Sequence, residues 1–117
     1  MSVPMPKEFV AIQDQPVQFV DEVGGLYFRA IELVEVGHTV PQHSHTYDHV
    51  TLIASGAARV WVDGAYLGEF KGFHALKVEA LKKHVFQATE PHTRLVCVHQ
   101  LNGAEYRIHE ETRLGDH

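Results

Sequence analysis

The sequence predicts an all-β fold, a small antiparallel β-barrel or jelly-roll sandwich, on three observations. Apolar and polar residues alternate with period two along most of the 117-residue chain. Gly, Pro and Asp interrupt that alternation at short intervals. Asp63-Gly64 separates ARVWV from AYLGEF, the two-residue signature of a tight hairpin. Period-two alternation gives each strand one face for a core, and frequent short strands suit a closed or double-layered antiparallel architecture.

The elements follow in order. Residues 1–16, rich in proline, form an N-terminal arm, and 17–104 form the barrel domain. Within the barrel, 17–20 (VQFV) and 26–36 (LYFRAIELVEV) are strands, the second closed by Gly37. HVTLIA (49–54) ends at Ser55-Gly56, and 58–62 and 65–70 make the hairpin. HVFQA (84–88) and RLVCVHQL (94–101) are joined across the turn-like TEPH. HALKVEALKKH (74–84) contains good helix formers, so local propensity favours a helix there and sheet context competes with it. His74 shares parity with Leu76 and Val78, which predicts a core position. Residues 105–117, charged at their end, form a C-terminal tail.

Composition excludes several classes of function. A formal net charge of -5 offers nothing to nucleic acid or an anionic membrane, both of which reward clustered positive charge. No apolar run approaches the ~20 residues of a membrane span. MSVPMPKEFVAIQD lacks the layout of a secretory signal, so a cytoplasmic location is expected. The single cysteine, Cys97, permits no internal disulfide. No GxSxG, phosphate-binding glycine loop or CxxC is present.

Chemistry concentrates in GHTVPQHSHTYDHVTLIASG, residues 37–56. On a strand, His43 and His45 project to one side, and His49 begins the next strand with inward parity. Three neutral imidazoles converging from one side suit a transition metal such as Zn, Cu, Fe or Ni. Ten histidines in the chain make polar loop positions the competing reading, and His38, His92, His109 and His117 have no such context.

Gly37, His43, His45, His49 and Gly56 follow the first motif of the cupins, Gly-x5-His-x-His-x3-Glu-x6-Gly, with His49 in place of the usual glutamate. This variant resembles the small single-domain four-histidine cupins. The resemblance implies a cupin barrel in which 74–78 is a strand, 79–83 a turn, and His84 the fourth metal ligand. The second cupin motif survives only at that histidine, because Phe73, Glu79, Leu81 and Ala88 replace its Gly, Pro, Gly and Asn. By the same resemblance, Cys97, His99 and Leu95 share an inward face of the last strand. Cys97 and His99 are the candidate catalytic residues, with a small buried hydrophobe as the plainer role for Cys97. Phe86 and Leu95 are expected to line the substrate pocket, with Tyr47 at its mouth, while Phe28, Trp61 and Tyr66 serve packing.

Four neutral imidazoles leave a divalent ion (Mn, Fe, Ni, Cu or Zn) its full charge, which favours a chelating anion in a low-dielectric barrel. Octahedral geometry leaves two positions open, whereas tetrahedral zinc is filled. The resemblance implies a metal-dependent oxidoreductase, dioxygenase-like, acting on a small enolisable or unsaturated compound. The alternatives are a noncatalytic cupin that binds a small ligand or supports an assembly, and a metal-dependent isomerase or lyase. The last needs a general base, and Asp48 has parity opposite to His49. A homodimer is expected, with the arm covering a sheet edge on the neighbour.

Overall fold

The computed structural model describes residues 3–6, 17–43 and 48–101. Among these, the chain forms strands β1 (Val17–Val23), β2 (Leu26–Leu33), β3 (Thr39–His43), β4 (His49–Ser55), β5 (Ala57–Val62), β6 (Ala65–Lys71), β7 (His74–Val78), β8 (His84–Ala88) and β9 (Thr93–Gln100). They make two antiparallel sheets, in the orders β1-β2-β9-β4-β7 and β3-β8-β5-β6. The inward residues of both sheets meet in one core built around Ile31, Leu33, Ile53, Val60, Phe86 and Leu95. The predicted all-β barrel is what the chain forms. No helix of the described residues is long and apolar enough to cross a membrane.

The Asp63-Gly64 hairpin joins β5 and β6 with φ of 49° and 80°, the double positive φ that a type I′ turn needs. Asp63 also caps the neighbouring loop, since its Oδ1 accepts the Lys83 amide at 2.8 Å. The chain passes from β8 in one sheet to β9 in the other across residues 89–92, so TEPH is a crossover between layers.

Three local expectations change. The strand read as 26–36 stops at Leu33, because the chain must leave the five-stranded sheet to enter the other one at β3. A turn closed by the His38 amide on the Glu35 carbonyl (3.1 Å) makes that change of layer. The helix-like segment pairs with β4 from Ile53↔His74 to His49↔Val78, and a turn at Leu81 (φ 68°) follows. Cross-strand pairing overrides propensity there, as the resemblance implied. His74 is exposed rather than buried, with its ring against Phe70 at 4.5 Å. As the first residue of an edge strand it sits beyond the core that Leu76 and Val78 reach.

Val3 sits against its own barrel. Trp61 alternates with the core residues Val60 and Val62, so it faces outward, yet it is only 1% exposed. Its indole N–H donates to the Val3 carbonyl at 2.7 Å, and the Tyr66 ring lies tilted beside it with centroids 5.4 Å apart. The remainder of the predicted arm, 7–16, and the tail, 105–117, lie outside the described residues.

Candidate metal centre

Register divides the inner wall of the five-stranded sheet into layers. Tyr27, His99, His49 and Val78 form the first, at the end where β2 and β4 begin. Arg29, Cys97, Thr51 and Leu76 form the second, and Ile31, Leu95 and Ile53 the third. Successive layers are one two-residue step, ~7 Å, apart. The facing sheet descends in parallel, from His84 through Phe86 to Ala88. One end of the interior is therefore polar and basic, and the other is apolar.

His49 and His84 meet across the polar end. Each is the first residue of its strand, each is buried, and their ring centroids are 4.9 Å apart. The His84 Nδ1 donates to the Lys82 carbonyl at 3.3 Å, which orients the ring and leaves Nε2 to offer its lone pair. Backbone register sets His43 opposite His84. The side chain of His43 lies outside the described residues, as do His45 and Tyr47. Among the described residues no three His, Cys, Asp or Glu side chains cluster closely enough to hold an ion. The described pair nonetheless suits one, because two buried imidazoles from opposite sheets with ring centroids 4.9 Å apart are the donor type a divalent transition metal takes.

His99 is buried beside this pair, one residue beyond the Val50↔Val98 partners. Its Nδ1–H donates to the Gln100 carbonyl at 2.7 Å, and its ring packs on Tyr27 at 5.5 Å. Any proton exchange by this ring therefore runs through Nε2. Cys97 lies one layer deeper, 3.5 Å from the Thr51 hydroxyl. Burial pushes its thiol up, and the Thr51 hydrogen bond and the Arg29 charge only partly oppose that. A protonated thiol suits a wall residue rather than an activated nucleophile.

The two described pocket candidates sit lower. Phe86 and His84 form a T-shaped ring pair with centroids 6.0 Å apart, and both Phe86 and Leu95 belong to the core. Among the described residues, a cleft of about 400 Å³ lies at this end, walled mainly by the outward residues Leu26, Val50, Lys77, Val98 and Gln100 with Asp48, and reaching His49 and His99. Asp48 points away from the interior, as its parity requires: it is exposed, accepts the Ala80 amide at 2.7 Å and lies 3.7 Å from the Lys77 ammonium.

Sequence reasoning passed over Arg29. The signal was present in LYFRAIEL, where Arg29 shares parity with Tyr27, Ile31 and Leu33, all buried. A charge on the apolar face of a strand is the anomaly to look for.

No protein-family model and no curated protein match the chain. Solved structures do. KdgF from Halomonas sp. superposes with a TM-score of 0.65 at 14% identity, covering 86% of this chain and 99% of that one. An RmlC-like cupin family protein with a double-stranded β-helix fold, from Methanocaldococcus jannaschii, gives 0.66 at 12% identity, covering 92% and 94%. A cupin superfamily protein from Desulfitobacterium hafniense gives 0.60 at 14%, covering 87% and 99%. At such identities the likeness is one of fold.

Proposed function

We propose, from the premise that the chain has the cupin fold, that it is a metal-binding cupin holding one divalent transition metal through His43, His45, His49 and His84. The observation that carries this reading is the meeting of His49 and His84, from opposite sheets, inside the barrel. The motif spacing in 37–56 supplies the other two imidazoles.

The reaction class we propose is a dioxygenase-like oxidation of a small enolisable or unsaturated compound in the cytoplasm. The ion, when bound, supplies Lewis acidity and, where redox-active, electron transfer. The chain's own contributions are positioning and exclusion. The Lys82 carbonyl orients His84, and the Gln100 carbonyl fixes the His99 tautomer. The apolar layer of Phe86 and Leu95 closes the interior beyond the imidazoles. Cys97 lines the wall as a neutral thiol.

A noncatalytic ligand-binding cupin is the second reading, favoured by the unactivated Cys97 and the outward Asp48. An isomerase or lyase draws the least support, because Asp48, the carboxylate within the motif, is exposed and engaged by the Ala80 amide rather than turned into the barrel. Metal analysis of protein purified without added metal, combined with an oxygen-uptake screen, separates the first two. One redox-active ion per chain with oxygen consumption supports the oxidoreductase. Stoichiometric zinc without turnover supports the binding protein.

The proposed partner is a second copy. On the outer face of the five-stranded sheet, register aligns Phe19, Ala30, Val96, Leu52 and Ala75 in one row. Asp21, Phe28, Val98, Val50 and Lys77 form the next. Phe19 and Val50 are 50% and 39% exposed, an apolar surface uncommon on an isolated domain. A two-fold axis parallel to β9 sets Asp21 of one copy over Lys77 of the other while the apolar rows stack.

A further inference from the structure

We propose that the outer face of the four-stranded sheet carries a docking site for an extended, proline-containing segment of a partner protein. The chain's own Val3-Pro4-Met5-Pro6 occupies that site in cis. The face lies outside the barrel, so the inference stands apart from the metal reading. Its floor is one row of the register, Val85 on β8, Trp61 on β5 and Tyr66 on β6. Val85 alternates with the inward His84 and Phe86, and Trp61 with the inward Val60 and Val62, so the row faces outward. Val85 and Trp61 are nonetheless 0% and 1% exposed. The Trp61 indole N–H donates to the Val3 carbonyl at 2.7 Å, with the Tyr66 ring tilted beside it. Pro4 is exposed, and Met5 and Pro6 are half-buried.

Proline suits this platform for physical reasons. Its ring fixes φ and holds the preceding residue extended, so the segment loses little freedom on docking. Paired aromatic rings offer apolar area, and the indole N–H supplies one donor to a carbonyl, the mode by which aromatic grooves read proline-rich segments. The own segment leaves one donor on this face unused. Arg59 lies two residues before Trp61 on the same outward side of β5, ~7 Å along the strand. Its Nε–H is buried without an acceptor. A buried donor without a partner is costly, and a carbonyl or carboxylate from a docked segment removes that cost. This contact matters because the tether gives the own segment an effective concentration on the order of millimolar. A partner in trans gains its advantage from an acidic residue beside its prolines, placed to reach Arg59.

The test uses the full chain and follows the indole N–H resonance of Trp61, its only tryptophan. The probes are three end-capped peptides, VPMP, VAMA and EVPMPE. EVPMPE should move the resonance saturably, VPMP should bind several-fold more weakly, and VAMA should bind weakest. The chain's net charge of -5 opposes an acidic peptide, so long-range attraction does not explain the first preference. Arg59→Gln should abolish the advantage of EVPMPE over VPMP and leave VPMP binding unchanged. Pro4→Ala together with Pro6→Ala loosens the own segment and should tighten EVPMPE by roughly fivefold or more. No movement of the resonance at several millimolar EVPMPE overturns the site. Equal binding of VPMP and VAMA overturns its preference for proline, and an EVPMPE advantage that survives Arg59→Gln overturns the acidic partner. If the Pro→Ala chain does not fold, the wild type and the three peptides decide alone.

Discussion

At the residue scale, His84 matters most, because it is the described imidazole from the opposite sheet. Without it, His49 loses the imidazole that meets it from the facing sheet. His84→Ala is therefore expected to lower metal occupancy and affinity, measured by elemental analysis and competitive chelation, whereas His92→Ala leaves both at wild-type levels. The exposed His92 pairs with Glu32 far from the cleft. Protons compete with metal for each imidazole, so affinity should fall below about pH 6. Full metal content in His84→Ala would remove it from the ligand set and leave His99 as the next candidate. Cys97 yields a prediction of opposite pH sense. Its thiol is raised by burial above the ordinary range of about 8.5, so above that pH the unfolded chain releases a proton that the folded chain keeps. Wild-type stability should decline with rising pH there more steeply than that of Cys97→Ala in denaturant titrations. Parallel pH profiles would show that burial does not shift the thiol.

At the element scale, the last glycine of the first motif has a clear physical reason. Gly56 turns the chain from β4 into β5 at φ 78°, and a Cβ there would lie 2.7 Å from the Thr93 Cα. Thr93 cannot withdraw, since its hydroxyl accepts the Ala57 amide at 3.1 Å and donates to the Glu90 carbonyl at 2.8 Å. Gly56→Ala combines left-handed strain with a backbone collision and should cost ~2 kcal/mol or more in chemical denaturation. A loss within a few tenths of that of a surface substitution would contradict the close approach. Segment 74–84 shows how elements compete. Its helix formers lose to β4, which offers five cross-strand partners in register. Local preference differs by only ~0.7 kcal/mol per residue among ordinary residues, and a buried ladder outweighs it.

For the whole molecule, the outer face of the five-stranded sheet predicts the assembly. Sedimentation at tens of micromolar should show a dimer, and Val96→Glu, at the centre of the apolar row, should shift it to monomer without loss of metal. Val96 faces away from the interior, so the two readouts are independent. A wild-type monomer, or a dimer indifferent to Val96→Glu, would assign that face no such role. The interior is organised at the same scale, with imidazole-bearing layers at one end and apolar layers at the other. That polarity links the fold to the proposed chemistry, because a polar ligand can be desolvated beside the imidazoles without crossing the core.

The sequence by itself determined the fold class, most strand positions, the β5–β6 hairpin and the spacing of the first motif. These are local or periodic properties, written in alternation, turn residues and fixed separations. It also made legible that Cys97 and His99 share a face with Leu95, since parity is a property of one strand, and the cupin resemblance turned that face inward. Only the tertiary structure decided where β2 stops, that the 74–78 strand pairs with β4, and that His74 is exposed at an edge. It alone brought His84 to within ring contact of His49 and set Arg29 beside Cys97 and Thr51. Those outcomes depend on which strands become neighbours, and the pairing of β9 between β2 and β4 joins residues about 70 and 45 positions apart. No local pattern encodes that choice; the shared burial of both sheets does.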